Sequence, residues 1–212
     1  MSWLVRYLRS SIGAKQVMAV TGLLLLLFAI VHMAGHLQMF GGRDMYNDYA
    51  RFLQNLWEVK WPVRAGLLGL LTLHVVLAIG LVAKNRAARP IDYAVFRPAR
   101  SSIVGRTMAL SGIVIFAFLV FHILHFTISP AYPDDAYTRY VTAFHQPVYY
   151  AIYFTGILLL SLHLGHGASS WLQSLGWRHP KYPADKLGTP IALLLFVGYM
   201  IPPTAILFRV LP

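Results

Sequence analysis

The chain has 212 residues, of which 58% are hydrophobic and 12% charged, and its formal net charge is +11. So few polar residues cannot cover a water-soluble globule of this size, and the composition therefore indicates a membrane protein. The absence of cysteine excludes disulfides, thiolate catalysis, zinc fingers and cysteine-held iron–sulfur clusters from this chain.

Five apolar segments are long enough to cross a bilayer, which takes about 20 residues per helix. They cover residues 17–39, 62–83, 105–129, 147–172 and 188–210. The first segment follows basic residues, as the core of a secretory signal does, but it is longer than such a core and lacks a small-residue cleavage site. We therefore predict one all-α transmembrane domain over residues 1–212, with five retained spans and no internal repeat.

The segment between the first two spans is predicted to form an amphipathic surface helix within residues 40–61, because its apolar side chains recur at spacings of three and four. These side chains are Met45, Tyr49, Phe52, Leu53 and Leu56. A proline at the start of a helix loses no hydrogen bond, so spans two, four and five are predicted to begin at Pro62, Pro147 and Pro190. The fifth span is predicted to kink or end at Pro202 and Pro203.

The basic residues follow the topology of these spans, which argues against a nucleic-acid partner. With the amino terminus inside, the cytoplasmic side carries Arg6, Arg9, Lys15, Lys84, Arg86, Arg89, Arg97, Arg100, Arg106, Arg178, Lys181 and Lys186. The other side carries half as many, namely Arg43, Arg51, Lys60, Arg64, Arg139 and Arg209. This asymmetry agrees with the positive-inside rule and places the carboxyl terminus outside.

Histidine occurs deep inside the first four spans: His32 and His36, then His74, then His122 and His125, then His163 and His166. An ionisable side chain is costly to bury in hydrocarbon, so these residues are candidates for function. A neutral imidazole ligates metals, and two imidazoles that face each other hold a haem iron from both sides. We predict that the first four spans form a haem-binding four-helix bundle.

Depth in the bilayer sorts these histidines, because a helix rises about 1.5 Å per residue. His32 and His122 lie in the last third of two outward-running spans and are the predicted iron ligands of an outer haem b. His74 and His163 lie at matching heights nearer the ends of two inward-running spans. They are the predicted iron ligands of an inner haem b.

The remaining histidines in the spans are secondary candidates, since each lies about one turn beyond a predicted ligand on the same helix face. They are His36, His125 and His166. Gly22 and Gly112 each precede an outer ligand by ten residues, which places them about 15 Å further inward, where an inner haem would need room. The alternatives are hydrogen bonding within the bundle for any single histidine and ordinary helix packing for the glycines.

The sequence does not locate a quinone site. Near the predicted outer interface, Glu58 and Asp48 are candidates for handling quinone protons, with solvated surface charges as the alternative interpretation.

These residues resemble the membrane cytochrome b subunit of succinate:quinone oxidoreductases and fumarate reductases, in its single-chain, five-span form with two haems. The resemblance runs nearly end to end. Residues 10–15 (SSIGAK), 18–22 (MAVTG) and 31–36 (VHMAGH) resemble the first helix of the family, and 45–50 (MYNDYA) resembles its surface helix. Residues 73–75 (LHV), 121–122 (FH) and 163–167 (HLGHG) resemble the later ligand sites. The resemblance selects the same four ligands as the depth argument, His32, His74, His122 and His163.

The resemblance implies an electron-transfer subunit without a dicarboxylate site of its own. Such a chain lies in a prokaryotic inner membrane, among its lipids, and anchors a flavoprotein with covalent FAD and an iron–sulfur subunit on the cytoplasmic face. Two haem b groups then pass electrons to or from a membrane quinone, either menaquinone or ubiquinone, and the whole complex is open to higher oligomerisation. The direction, succinate oxidation or fumarate reduction, is left open.

Two other interpretations compete with this one. The closer is the dihaem cytochrome subunit of another respiratory complex, such as a hydrogenase or formate dehydrogenase, which shares the chemistry and changes the partner. The second is a haem-free transporter or anchor in which histidines relay protons. Cytochrome b of the quinol:cytochrome c reductases fits less well, because it places two ligands far apart on each of two helices.

Overall fold

The computed structural model describes residues 2–88, 103–129, 135–177, 181 and 184–211, and the regular structure within them is helical. The α-helices are α1 Trp3–Arg9, α2 Ser11–Leu37, α3 Gly42–Asn55, α4 Trp57–Ala87, α5 Ile103–Ile123, α6 Ala136–Phe144, α7 Pro147–Ser174 and α8 Gly188–Leu207. Short 3-10 turns cover Gln38–Gly41 and Ala184–Leu187, and a π-helical segment, Leu124–Ile128, extends α5.

Five helical segments, built on α2, α4, α5, α7 and α8, are long and apolar enough to cross a membrane. This confirms the prediction of an all-helical chain with five spans, and it makes the protein a multi-pass membrane protein. The helices coincide with the predicted segments, except that α2 begins at Ser11 and α4 at Trp57, earlier than expected.

The helix starts have local causes. Ser10 caps α2, since its Oγ accepts a hydrogen bond of 3.0 Å from the Gly13 N–H. Pro147 occupies the first turn of α7, as predicted. Pro62 does not begin a span but lies inside α4, where the helix loses one backbone hydrogen bond. The prediction for that boundary was therefore wrong.

The fifth span does not end at its two prolines. Pro202 and Pro203 are buried inside α8, which continues to Leu207. The span also begins before Pro190, at Gly188, so this proline is in the first turn rather than at the first position.

Close packing is concentrated where α8 lies along α7 and α2. A side chain at Gly165 of α7 would meet the Gly188 carbonyl oxygen of α8 at 2.5 Å, and one at Gly198 of α8 would meet the Met33 Sδ of α2. Small residues at such positions let helix backbones approach closely. By contrast, α4 buries one side chain, Leu81, and α5 buries none.

Two short helices cover the same end of the bundle. The Arg43 guanidinium of α3 forms a 2.6 Å ion pair with Asp135 at the start of α6. The Tyr137 backbone N–H of α6 donates to the Asn47 side chain of α3. The helix predicted within residues 40–61 is thus present as α3, whereas α6 was not predicted.

The apolar stripe predicted for α3 is largely exposed on the isolated chain, since Met45, Phe52 and Leu53 are each more than 40% exposed. Four residues of the predicted charge asymmetry, Arg89, Arg97, Arg100 and Arg178, lie outside the described residues.

Candidate functional site

The histidines of the spans lie in two tiers, one near the end covered by α3 and α6 and one deeper in the bundle. The outer tier contains His32 and His36 of α2, His122 of α5 and His125 of the π-helical segment. The ring centroids of His32 and His122 are 6.0 Å apart. The structure thus brings the two predicted outer residues together across the bundle.

That separation is compatible with a shared metal ion. Metal–imidazole bonds are about 2 Å long and each ring centroid lies about 1 Å behind its ligating nitrogen, so two imidazoles on opposite sides of one metal have centroids about 6 Å apart. The spacing of His32 and His122 therefore matches that of two imidazoles on one iron, while the His32 Nε2 itself contacts the His36 Nε2 at 3.3 Å.

His36 is in direct contact with the outer pair. Its Nε2 is 3.3 Å from the His32 Nε2, and its Nδ1 is 3.1 Å from the Tyr46 hydroxyl of α3. Its ring centroid is 5.2 Å from that of Tyr140 of α6. Burial, followed by the neighbouring phenols, raises the pKa of Tyr140 well above its usual value, so Tyr140 is a neutral phenol beside this ring.

His122 and His125 share one partner. Both Nδ1 atoms lie within hydrogen-bonding distance of the Tyr153 hydroxyl of α7, at 3.2 Å and 3.1 Å. The wider π-helical turn is closed by a bond from the Ser129 N–H to the Leu124 carbonyl. It begins two residues after His122 and contains His125. Such turns recur at functional sites.

The inner tier contains His74 of α4 and His163 of α7, which lie within electrostatic interaction range of each other. The Nδ1 of His74 is 3.1 Å from the Thr21 hydroxyl of α2, and the Nδ1 of His163 is 3.3 Å from the Ser111 hydroxyl of α5. In each case the hydroxyl belongs to the preceding span: α2 contacts the histidine of α4, and α5 contacts the histidine of α7.

The glycines predicted to lie at the inner height are there. An atom added at Gly22 would lie 3.1 Å from the His74 ring, and one added at Gly112 would lie 3.9 Å from the His163 ring. Gly156 differs, since the Phe118 ring already fills the space beside it, which favours ordinary helix packing at that position.

The helices that flank the histidine pairs are loosely packed on the isolated chain. All residues of α5 are described and none is buried, although α5 contributes His122 to the bundle. Gly66 and Gly69 of α4 have no atom within 4 Å of where a side chain would begin. The two imidazole pairs suit the donor chemistry of haem. The glycines beside the inner rings are small residues of the kind that let a flat ligand or another helix approach closely.

The other candidates stand apart from these pairs. His166 is partly buried on α7, close enough to His163 to interact with it electrostatically. Asp48 and Glu58 are both exposed, and Asp48 forms an ion pair with Arg51. Among the described residues, no group of three or more metal-ligating side chains occurs, and bis-histidine sites need only pairs.

The geometry also exposes a repeat that sequence reasoning missed. Residues 18–22 (MAVTG) and 108–112 (MALSG) match, and each is followed after nine residues by an outer histidine, His32 or His122. Residues 70–74 (LLTLH) and 159–163 (LLSLH) match as well and end at the inner histidines. These short matched segments relate α2 with α4 to α5 with α7.

Comparison with protein-family models, with curated proteins and with solved structures gave no match for this chain.

Proposed function

We propose that this chain is the membrane anchor and dihaem cytochrome b subunit of a succinate:quinone oxidoreductase or quinol:fumarate reductase. The observation that carries the proposal is the arrangement of imidazoles in two tiers, with one histidine of each tier from each half of the repeat. The 6.0 Å separation of the His32 and His122 rings supports a shared iron in the outer tier.

In this proposal His32 and His122 hold the outer haem iron, and His74 and His163 hold the inner one. When bound, the two haems would supply one-electron transfer along the bundle. Two imidazoles on each iron leave no open position for oxygen, which suits electron transfer. Along α2, Gly22 and His32 are about 15 Å apart, so the tiers span much of the membrane.

The remaining chemistry belongs to other molecules in this proposal. A flavoprotein with FAD oxidises or reduces the dicarboxylate, and an iron–sulfur subunit on the cytoplasmic face exchanges electrons with the inner tier. A membrane quinone, either menaquinone or ubiquinone, exchanges electrons with the haems. Asp48 and Glu58 remain candidates for its protons because they are exposed at the end that carries the outer tier.

A reduced-minus-oxidised absorbance spectrum of the purified chain tests the haem proposal. We expect b-type bands and two haems per chain, since each tier has one imidazole pair. A spectrum without these bands would remove the cytochrome interpretation. Co-purification then separates the partners, because the proposal requires a flavoprotein of the dicarboxylate type rather than a hydrogenase or formate dehydrogenase subunit.

A haem-free proton relay is the second candidate, and one observation favours it. Tyr46, His36 and His32 form a continuous row of hydrogen-bonding groups running inward from α3. Such a row can pass protons between ring nitrogens and hydroxyls. The same spectrum distinguishes the two candidates, because a relay needs no haem.

A further inference from the structure

Two hydroxyl groups hold the inner imidazoles, and their own hydrogens are already committed. The single hydrogen of the Thr21 Oγ1 is shared between the Val17 and Met18 carbonyls of its own helix, both at 3.0 Å, and the Met18 carbonyl also accepts from the His74 ring. The Ser111 Oγ donates to the Met108 carbonyl at 3.1 Å. A hydroxyl has a single hydrogen, so each of these oxygens meets the imidazole as an acceptor.

An accepting hydroxyl fixes the tautomer of the ring it faces. With Thr21 and Ser111 as acceptors, Nδ1 would carry the proton in His74 and in His163. The Nε2 atom of each ring would then keep its lone pair and be available to ligate a metal. Both halves of the repeat place the same kind of group at the same position, immediately before Gly22 and Gly112.

We infer that Thr21 and Ser111 are paired positioning residues that fix the inner imidazoles as Nε2 ligands and tune the inner haem. The inference rests on the proposed function, since it concerns the haem assigned to His74 and His163. A ligand histidine that donates its second N–H becomes more basic and better oriented. A more basic ligand stabilises ferric over ferrous iron, so these hydroxyls lower the midpoint potential of the inner haem.

The outer tier is built differently, which makes the inference specific. There the Nδ1 atoms of His122 and His125 face the phenol of Tyr153 rather than an aliphatic hydroxyl. The hydroxyls at positions 21 and 111 therefore act on one tier only.

The test is a redox titration of the b-haem absorbance, made on the full chain in its membrane, with the variants Thr21→Val and Ser111→Ala. We expect each to shift the same one of the two haem components upward and to leave the other where it is in the wild type. Thr21→Ser keeps the hydroxyl and should therefore keep the wild-type potential.

Thr107→Val is the matched control. The Thr107 hydroxyl makes the same two backbone bonds, to the Ile103 and Val104 carbonyls, but it is exposed on α5. This variant should leave both potentials unchanged, which shows that removing a hydroxyl from a span does not by itself move a haem potential.

The outcomes separate the inference from the function it rests on. The inference alone is overturned if the wild-type chain holds two haems and both haem potentials are unchanged in Thr21→Val and Ser111→Ala. A shift confined to the outer haem also overturns it. Loss of the inner haem from Thr21→Val but not from Thr21→Ser supports it, and loss from both overturns it in favour of a packing role. A wild-type chain without haem removes the proposed function itself.

Discussion

The two tiers differ most clearly in the single residues behind each imidazole. In the inner tier, aliphatic hydroxyls whose hydrogens are directed at helix carbonyls meet the rings as acceptors. In the outer tier, the rings meet phenols, Tyr153 and Tyr46, at their Nδ1 atoms. The two tiers therefore differ in the kind of hydroxyl that faces their imidazoles.

Replacing single histidines tests the assignment of ligands to tiers. We expect His74→Ala and His163→Ala to remove the same haem and His32→Ala and His122→Ala to remove the other, because one imidazole cannot hold the iron from both sides. Haem content and spectra of the purified variants measure this. His145→Ala is the control, since His145 is exposed at the end of α6. Loss of a haem from His36→Ala but not from His32→Ala would show that His36 rather than His32 is the ligand on α2.

Several residues of this site followed from the sequence because depth in a helix is a linear function of residue number. That rule placed Gly22 beside the height of His74 before any contact was known. It does not specify rotation about the helix axis, so the Thr21 and Ser111 contacts and the sharing of Tyr153 became visible only in the structure. The matching pentapeptides around Thr21 and Ser111 were a signal that could have been found.

At the scale of elements, the protein combines a tightly packed pair of helices with loosely packed flanks. Gly165 and Gly188 bring α7 and α8 into backbone contact, whereas α5 buries no side chain. The fifth span carries no histidine. It packs against α7 and α2, which carry histidines of both tiers, so its role is to support those two helices.

Gly165→Ala should destabilise the protein by roughly 1–3 kcal/mol, the usual cost of overpacking. The added methyl would meet the Gly188 carbonyl at 2.5 Å and the Ala192 side chain at 2.8 Å, so backbone has to move. Thermal unfolding in detergent measures the effect. The control is Gly167→Ala, since Gly167 lies two residues further along the same helix and has nothing within 4 Å of an added Cβ. This variant should be as stable as the wild type or up to about 1 kcal/mol more stable. Equal thermal midpoints for the two variants would contradict the close α7–α8 contact.

The connection between α3 and α6 should weaken in acid. Burial alone would raise the pKa of Asp135, but hydrogen bonds from the Thr138 N–H, Arg43 and Asn47, together with the Arg43 charge, lower it to about 2. A carboxyl whose pKa is lower in the folded state stabilises that state above its unfolded pKa, and the contribution is lost as pH falls through the folded pKa. The expected window is therefore from about pH 4 down to pH 2.

Thermal midpoints of the wild type and Asp135→Asn, compared across that range, check this prediction. The wild-type advantage should be full above about pH 4 and should vanish near pH 2. A difference that does not depend on pH would show that the carboxylate charge is not what joins the two helices. Asp48→Asn is a suitable comparison, because Asp48 pairs with Arg51 within α3 alone.

The sequence located the spans and α3 because long apolar runs and three-to-four spacing are strong periodic signals. It missed α6, since nine residues are too few to show a period clearly, and their helix depends on the Asp135 cap and on burial of Tyr137, Tyr140 and Phe144. It also misjudged Pro62, because the capping rule for proline ignores the turn that Trp57 begins upstream.

At the scale of the whole molecule, the two ends of the bundle differ in what covers them. One end has its own cover in α3 and α6, joined by the Arg43–Asp135 pair. The described residues at the other end include the basic side chains of Lys15, Lys84, Arg86 and Arg106, at or near the ends of three spans. An electron-transfer subunit needs one end for its redox partner, and under the proposed function the basic end is that surface.

Neutralising Lys84 and Arg86 together should weaken retention of the iron–sulfur and flavoprotein subunits. Each exposed ion pair contributes about 0.2–1 kcal/mol, so loss of two is expected to weaken association between about twofold and thirtyfold, more so at low salt, where screening is weak. Co-purification of the two subunits at increasing salt measures this. The control is the double variant Arg51→Gln and Arg64→Gln, which removes two exposed positive charges at the end nearer α3. Retention should be unchanged in this variant, because that end faces away from the partners. If the second pair weakens retention instead, the partners bind at the end covered by α3 and α6, and the outer tier rather than the inner one receives their electrons.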